Sequence, residues 1–291
     1  MRTLNSLLEE YRDRKVFLID NLWYMHKCYS VMQDFQNADG FKTGHLYGMT
    51  NLITNLQNNF PYDLVLICED CGTNNRKKLD ENYKANREKM FEYGSLFDFE
   101  RNLFQDLDNV YFCYQDGYEA DDVLYSVSRI KDYNNEFIVF SGDNDMLQAL
   151  DNTTRIVRKI VGREFKIEIT EGDEYYNKHY EGLTPAQIPT YRAIIGDKSD
   201  NISPILPRFP RKVAKIYAKD NILSETYNLT NKEIRMWHRI NETDKFKNNL
   251  EIMKLRQIDP QIREKNYKHR SIDVASYLQL FKFKEYLNRR V

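Results

Sequence analysis

The hexapeptide KVFLID, residues 15–20, is a short apolar run that ends in a carboxylate. Three later runs share this character: DLVLIC at 63–68, NVYFCY at 109–114 and EFIVFS at 136–141. Short apolar runs of this kind are typical of parallel strands that are buried on both faces. Longer segments with helical patterns, such as 43–59 and 119–131, lie between them. The sequence therefore predicts βαβ units and an α/β fold with a mostly parallel sheet.

The character of the sequence changes after about residue 180, where runs of the strand type stop. Thr184 and Pro185 have the residue types of a helix N-cap and a first helical position. The helical pattern that starts there continues through Arg192, and further helical patterns lie at 212–218, 232–240, 244–255 and 277–288. We therefore predict an α/β domain at 1–180 and a smaller helical domain at 181–291.

Acidic residues follow each predicted strand. Because functional sites in parallel α/β sheets form outside the carboxyl ends of the strands, these groups are expected to converge on one rim. Asp20 ends the first run, Asp70 follows the second, and Asp143 and Asp145 follow the fourth. Three further acids open the helix after the third run: Glu119, Asp121 and Asp122. This distribution predicts a cluster of carboxylates at one edge of the sheet.

A cluster of ionised carboxylates repels itself unless cations compensate the charge. Oxygen-only ligands favour hard ions such as Mg²⁺ or Mn²⁺, and two such ions about 4 Å apart can promote phosphodiester hydrolysis. Taken singly, Asp20 fits a helix cap, and the acids at 119–122 fit residues that complement a helix dipole. Asp143 and Asp145 superficially fit a calcium loop that lacks its downstream Gly and Glu. Four clusters at equivalent positions favour the metal site.

Composition sets broader limits. The chain has 291 residues, of which 41% are hydrophobic and 30% charged, and a net charge of −1, which does not by itself favour nucleic-acid binding. Four cysteines, including a single Cys68-x-x-Cys71 pair, form neither a disulfide framework nor a complete zinc site. The charged N-terminal segment is not a signal peptide, and no apolar run reaches membrane-spanning length. We expect a cytoplasmic protein.

Three motifs follow the strand-end Asp20 in order: YEADDV at 118–123, SGDNDMLQ at 141–148 and GDKSDNI at 196–202. With these motifs the chain resembles the flap endonuclease and 5′–3′ exonuclease family in its compact bacterial and bacteriophage form, which includes the 5′ nuclease part of bacterial DNA polymerase I. The resemblance covers almost the whole chain. It implies a PIN-like nuclease domain with helices on both faces of the sheet.

The resemblance also implies a ligand set for two Mg²⁺ or Mn²⁺ ions. The first ion would be held by Asp20, Asp70, Glu119 and Asp121, and the second by Asp121, Asp143, Asp145 and Asp197. Asp122 and Asp200 look like the additional acids of the family, outside direct coordination. Glu69, next to Asp70, fits the pattern less well.

The segment ENYKANR at 81–87 resembles a Tyr-Lys-x-x-Arg segment that the family carries on a helix beside the metals. The resemblance implies that Lys84 and Arg87 contact the scissile phosphate and that Tyr83 stacks on a terminal base. Phosphoryl transfer independently requires positive charge near the phosphate oxygens. Without its neighbours the segment would read as a solvated helix face. The next stretch, up to about 103, corresponds to a short arch at about 84–103.

The helical part resembles the family's helix–three-turn–helix, which grips duplex DNA. The family's Gly-x-Gly turn, which often accompanies a K⁺ site, is replaced here by Arg208-Phe209-Pro210. Because Phe and Pro do not readily adopt glycine conformations and Pro210 lacks an N–H, the sequence does not favour a K⁺ site. Duplex phosphates would instead be neutralised by Arg208, Arg211, Lys212 and Lys215.

The function implied is a structure-selective 5′ nuclease, a 5′–3′ exonuclease or flap endonuclease that acts in replication and repair. Its substrates would be DNA with a 5′ flap, nick or single-strand/duplex junction, and RNA primers in RNA–DNA hybrids. A monomer is expected, with a single-strand binding protein or sliding clamp as partner. Two alternatives stay open: a PIN-type ribonuclease, although such enzymes are usually shorter, and a catalytically inactive structure-specific DNA-binding protein, although no expected acid is missing.

Overall fold

A computed structural model of the chain describes residues 2–36, 42–87 and 93–265. The predicted helix at 277–288 and the middle of the predicted arch, at 88–92, lie outside the described residues.

The described part of the chain is built on a seven-stranded sheet in the order β6-β5-β4-β1-β2-β3-β7. The strands are β1 Lys15–Asp20, β2 Leu64–Glu69, β3 Val110–Tyr114, β4 Glu136–Phe140, β5 Thr154–Val161, β6 Glu164–Ile169 and β7 Gln261–Ile262. β1 lies at the centre and pairs in parallel with β2 and β4, and the pairs β2–β3 and β4–β5 are also parallel. The four predicted strands are therefore confirmed, and their carboxyl ends lie at one edge.

Helices cover both faces of this sheet. They are α1 Leu4–Glu10, α2 Asn21–Val31, α3 Gly44–Asn59, α4 Tyr93–Phe104, α5 Ala120–Ser128, α6 Glu174–Tyr180, α7 Ile188–Ile195, α8 Arg211–Asp220, α9 Asn231–Asn241 and α10 Asp244–Met253. The predicted helices at 43–59, 119–131, 212–218, 232–240 and 244–255 correspond to α3, α5, α8, α9 and α10. The predicted helix start at Thr184 is a 3₁₀ turn, Pro185–Gln187, directly before α7.

Side-chain alternation along β1 separates the core into two layers. Val16 and Leu18 pack into the layer that contains α1, α5 and the C-terminal helices. Phe17 and Ile19 pack into the opposite layer with α2 and α3. All four side chains are fully buried, as expected for a central parallel strand with helices on both faces. The predicted fold class is confirmed.

Three strands were not predicted. β5 and β6 form an antiparallel edge hairpin in which charged residues interrupt the apolar pattern and Gly162 supplies the positive φ of the turn. The expectation that strands stop after about residue 180 was wrong at β7, which pairs with β3 at the edge of the sheet but has only two residues, too few for a periodic pattern.

The segment after α10 packs directly against the α/β part. Gln148 donates to the carbonyl of Met253 at 2.9 Å and accepts a bond from the Leu255 amide at 3.1 Å. The amide of Arg256 donates to Asp122 at 2.8 Å. The C-terminal part of the helical region is therefore attached to the sheet domain by hydrogen bonds, two of which are buried.

Candidate active site

A cleft of about 460 Å³ lies at the carboxyl ends of β1, β2 and β4, next to the first turn of α5. Its lining residues are Asp20, Leu22, Trp23, His26, Asp70, Lys84, Arg87, Glu119, Ala120, Asp121 and Asp143. The structure thus brings five of the predicted metal-binding acids together with both predicted phosphate-binding cations. The order of the strands explains this convergence, because each of these acids either follows one of the neighbouring strands or opens the helix that comes after such a strand.

Local hydrogen bonds position the acids of the first two strands. Asp20 caps α2, since its Oδ1 accepts from the amide of Trp23 at 3.0 Å, and its Oδ2 accepts from the hydroxyl of Ser141 at 2.9 Å. Asp70 accepts a bond from the amide of Ala120 at 2.7 Å. Asp20 is therefore a helix cap and a cleft residue at once, and the two interpretations of the sequence are compatible.

The negative charge in the cleft is only partly compensated by the protein. Within the described residues, no ion pair engages Asp20, Asp70, Asp121 or Asp143. Burial raises the pKa of Asp20 to about 7, and the charges of Asp70 and Asp143 add to this effect. Burial, then Asp143 and Asp20, raise the pKa of Asp121 well above its usual range. Carboxylates that share one cleft and lack ion-pair partners are a donor set that suits hard divalent cations, so these residues fit Mg²⁺ or Mn²⁺.

The raised pKa of Asp20 predicts how stability depends on pH in EDTA. Its folded pKa of about 7 exceeds the ordinary value of 3.8, so between these values the folded protein binds more protons than the unfolded chain. Stability should therefore fall as pH rises through this window and level off above about pH 7. Asp20→Asn should remove part of this pH dependence. Thermal unfolding of wild type and variant at pH 5 and 7.5 measures the effect. If the difference in Tm between the two proteins is the same at both pH values, the raised pKa of Asp20 is contradicted.

Glu119, in contrast, is fully compensated. Its Oε1 lies 2.5 Å from the Lys84 ammonium, and its Oε2 accepts bonds from Arg76 and from the Tyr83 hydroxyl, both at 2.9 Å. Burial alone would raise the pKa of Glu119, but the charges of Lys84 and Arg76 outweigh it and lower the pKa to about 2. Glu119 is therefore an ionised carboxylate that also holds the Lys84 side chain at the cleft.

A second group of acids lies beside the cleft. Carboxylate oxygens of Asp145, Asp197 and Asp200 lie within 4.8 Å of one another. The buried guanidinium of Arg192, on α7, pairs with both Asp145 and Asp197, and Arg87 donates to Asp200 at 2.5 Å. The structure therefore places an arginine between two acids that were predicted to share a metal. Sequence reasoning missed Arg192, although a lone charged residue in the apolar helix IPTYRAII is a detectable signal.

Two further acids have structural partners. Asp122 is fully buried and accepts two bonds from Arg76, at 2.5 and 2.7 Å. Arg76 also donates to the carbonyl of Ile252 at 2.8 Å, so it links the start of α5 to the end of α10. Glu69 is held by Arg101 and Arg263. The predicted role of Asp122 as an additional metal-site acid finds no support in these contacts.

The segment 81–87 differs from its prediction. It forms successive turns rather than a helix, and Lys84 has a φ of 54° while its amide donates to the Asp200 carbonyl at 3.0 Å. Lys84 and Arg87 line the cleft, as predicted. Tyr83 is only 3% exposed and packs against Ile202 and residues after α9, so the predicted stacking on a terminal base is incompatible with its position.

The turn that precedes α8 is built without the expected glycines. Arg208 adopts the left-handed conformation with a φ of 54°, Phe209 is buried, and Pro210 occupies the N-cap position of α8. The side chains of Arg208, Arg211 and Lys212 are exposed around the first turn of α8. Lys215 is half-buried and donates to the Glu181 carbonyl at 3.3 Å. These four predicted DNA-binding residues form one basic surface at the start of α8, which we call the α8 basic surface.

Gly196 in the motif before this turn has no tolerance for a side chain. Its φ is 73°, and an added Cβ would lie 2.5 Å from the Pro204 nitrogen and 2.6 Å from the Ile202 carbonyl. The adjacent residue, Asp197, exchanges two backbone hydrogen bonds of 2.7 Å with Ile202. This closed loop places Asp197 and Asp200 beside the cleft. The geometry of the loop therefore explains why the motif at 196–202 begins with glycine.

Comparison with known proteins gives the chain a context. The family described as 5′-3′ exonuclease, N-terminal resolvase-like domain, matches residues 15–180. DNA polymerase I of Caldicellulosiruptor bescii is 28% identical over 73% of this chain and 25% of that protein. A 5′-3′ exonuclease of Mycoplasmopsis pulmonis is 31% identical over 67% of this chain and 63% of that protein. The chain thus matches about a quarter of the length of the first relative and less than two thirds of the second.

Solved structures agree on the fold. A bacteriophage T5 flap endonuclease in complex with DNA and metal ions superposes with a TM-score of 0.58 at 17% identity, covering 83% of this chain and 89% of that one. The Rad2 catalytic core in complex with DNA superposes with a TM-score of 0.53 at 12% identity, covering 94% and 90%. Within 2–36, 42–87 and 93–265, no helix is long and apolar enough to cross a membrane.

Proposed function

The chain belongs to the 5′–3′ exonuclease family, and we propose that it is a structure-selective 5′ nuclease that hydrolyses phosphodiesters near free 5′ ends, flaps and nicks. The observation that carries this proposal is the cleft itself. Four carboxylates, those of buried Asp20 and of partly buried Asp70, Asp121 and Asp143, line the same space as Lys84 and Arg87, and within the described residues none of the four has an ion-pair partner. A site with this combination can hold divalent cations and a phosphate together, which phosphodiester hydrolysis requires.

Asp20, Asp70, Asp121 and Asp143, with Glu119 beside them, would hold Mg²⁺ or Mn²⁺. Such ions, when bound, neutralise charge on phosphate oxygens and lower the pKa of a water ligand. We propose two ions, the second of which would involve Asp145 and Asp197. In the described arrangement both of these acids pair with Arg192, so occupancy of a second site requires Arg192 to exchange its partners.

Lys84 and Arg87 supply the positive charge of the protein itself. The Lys84 ammonium is fixed by Glu119, and the 46% exposed side chain of Arg87 reaches toward Asp200 from the cleft entrance. A scissile phosphate in the cleft would therefore meet one rigid cation and one adjustable cation. Both would stabilise the charge that develops on the phosphate oxygens in the transition state.

The α8 basic surface would hold the duplex part of the substrate. Its side chains can neutralise backbone phosphates without reading base sequence, as structure-selective binding requires. Substrates with RNA 5′ strands, a monomeric state and a partner such as a single-strand binding protein or clamp are part of the same proposal.

The duplex contact can be measured through its salt dependence. The double variant Arg211→Ala/Lys212→Ala should bind flap DNA more weakly, and the slope of log K against log salt should decrease in magnitude by about 2. The control Lys245→Ala/Lys247→Ala removes two exposed charges from α10 instead. Fluorescence anisotropy with labelled DNA in EDTA measures both. Equal slopes for the two double variants would remove the α8 basic surface from the DNA interface.

Cleavage assays test the activity directly. The full chain should cut 5′-flap and nicked DNA in Mg²⁺ or Mn²⁺ and stop in EDTA. Parallel substrates with an RNA 5′ strand and with single-stranded RNA separate the proposal from a PIN-type ribonuclease, which would prefer the latter. Tight binding of flap DNA with no turnover in either metal would favour a catalytically inactive DNA-binding protein and would contradict the proposal.

A further inference from the structure

Two stretches of the chain that are far apart in sequence meet beside the cleft. One is the segment 81–87, which carries both cations of the cleft, and we call it the cation segment. The other is the loop 196–202, which carries Asp197 and Asp200, and we call it the acid loop. Besides the ion pair between Arg87 and Asp200, further contacts join these two stretches.

Three hydrogen bonds connect the cation segment and the acid loop, and each of them ends on a backbone carbonyl. They run from the Lys84 amide to Asp200 (3.0 Å), from the Asn201 side chain to Asn82 (2.9 Å) and from the Asn86 side chain to Lys198 (3.3 Å). Asn82 and Asn86 lie two residues before and two residues after Lys84. The asparagine bonds therefore hold the cation segment on both sides of its lysine.

The backbone of Lys84 indicates that this attachment determines its conformation. Lys84 has a φ of 54°, a left-handed conformation that a lysine rarely adopts unless its surroundings impose it. Its amide donates to the acid loop in this conformation, and the preceding residue, Tyr83, packs against Ile202 of the same loop. The acid loop thus supports the residue whose ammonium lies at the cleft.

From these contacts we infer that Asn201 and Asn86 are positioning residues for Lys84. They hold the cation segment on the acid loop and so keep the ammonium at the cleft. Neither asparagine is among the residues that line the cleft, so both would act through Lys84. The inference rests on the proposed nuclease function and adds that one structural unit places both the phosphate cation and the acids proposed for the second metal ion.

Kinetics test this role with a double variant, because both asparagine bonds are exposed and each contributes little alone. Asn201 has a φ of 60°, which glycine adopts without strain, so Asn201→Gly removes the donor and keeps the backbone conformation. Asn201→Gly/Asn86→Ala should lower kcat on flap DNA by about 10-fold and change KM by less than about 3-fold. A double variant with the kcat of the wild type would overturn the inference.

The matched control is Asn134→Gly. Asn134 is also an exposed asparagine with a left-handed φ, of 54°, and its side-chain amide donates a hydrogen bond of 2.7 Å. It lies before β4, at the opposite end of the sheet from the cleft. This variant should keep the wild-type kcat, and a loss equal to that of the double variant would overturn the inference.

A double-mutant cycle separates positioning of Lys84 from a general structural role. In the Lys84→Met background, Asn201→Gly/Asn86→Ala should lower kcat by less than about 2-fold further, because the residue through which the asparagines act is absent. If the loss of about 10-fold persists in this background, the asparagines act through the metal-site acids or the fold, and the inference is overturned.

Hydrogen exchange measures the attachment without any activity. Exchange of the Lys84 amide, which donates to the acid loop, should be about 10-fold or more faster in the double variant than in the wild type and unchanged in Asn134→Gly. Equal exchange in all three proteins would overturn the inference even if the wild type cleaves flap DNA. If the wild type shows no metal-dependent cleavage, the nuclease proposal fails, and exchange alone decides whether the asparagines hold Lys84.

Discussion

Asp121→Asn is expected to lower kcat/KM on 5′-flap DNA by about 1,000-fold or more while it raises the melting temperature in EDTA. Asp121 lines the cleft, and burial, Asp143 and Asp20 raise its pKa strongly. An amide removes one anionic oxygen donor from the cations, so the transition state loses stabilisation of several kcal/mol in order of magnitude. The same change relieves repulsion among the carboxylates, which destabilises the protein when no cation is present.

The opposite signs of the two effects make this prediction specific. Steady-state cleavage in Mg²⁺ and thermal unfolding in EDTA measure them on the same variant. Asp116→Asn, which changes an exposed acid outside the cleft lining, is the control and should alter neither value appreciably. A variant at Asp121 that cleaves at near the wild-type rate would remove this residue from the metal site. A lower melting temperature would show that its charge is compensated within the fold.

Lys84→Met should lower kcat on flap DNA by about 100- to 1,000-fold with a smaller effect on binding. The ammonium is fixed beside the cleft by Glu119, so it is already placed to stabilise charge on a phosphate without reorganisation. Methionine keeps the length and packing of the side chain but removes the charge. Single-turnover cleavage and anisotropy measurements separate the chemical step from substrate binding.

Lys84 also neutralises Glu119, so a loss of rate could come through that carboxylate. Arg76 and the Tyr83 hydroxyl still bind Glu119 in the variant, which limits this effect. Lys84→Arg keeps the charge and should recover part of the rate. Lys77→Met, at an exposed position, is the control. The assignment fails if Lys84→Met binds DNA poorly but cleaves saturating substrate at the wild-type rate, because Lys84 would then contribute only to binding.

The sequence predicted the parts of the fold that repeat a simple pattern. The runs at β1, β2, β3 and β4 are apolar because helices cover both faces of the sheet, so their burial is visible as continuous hydrophobic segments. The edge hairpin of β5 and β6 was not predicted, since Arg and Lys residues interrupt the apolar pattern of both strands. β7 is too short to produce any pattern.

The acids of the cleft were predictable because their positions follow from strand ends, whereas their ion pairs were not. Arg76 lies far in sequence from Asp122, as does Arg192 from Asp145, and only the folded chain brings each pair together. These two buried arginines decide which acids are compensated and which are left to cations. The burial of Tyr83 likewise depends on residues after α9, more than 160 positions away, which no local pattern reports.

Anomalous diffraction from crystals grown or soaked in Mn²⁺ tests the central claim most directly. We predict Mn²⁺ density in the cleft, with the carboxylates of Asp20, Asp70, Asp121 and Asp143 among the ligands, and loss of that density in Asp121→Asn. A second peak near Asp145 and Asp197 should coincide with displacement of Arg192. A cleft that stays free of Mn²⁺ at concentrations that saturate cleavage would contradict the proposed metal-dependent nuclease site.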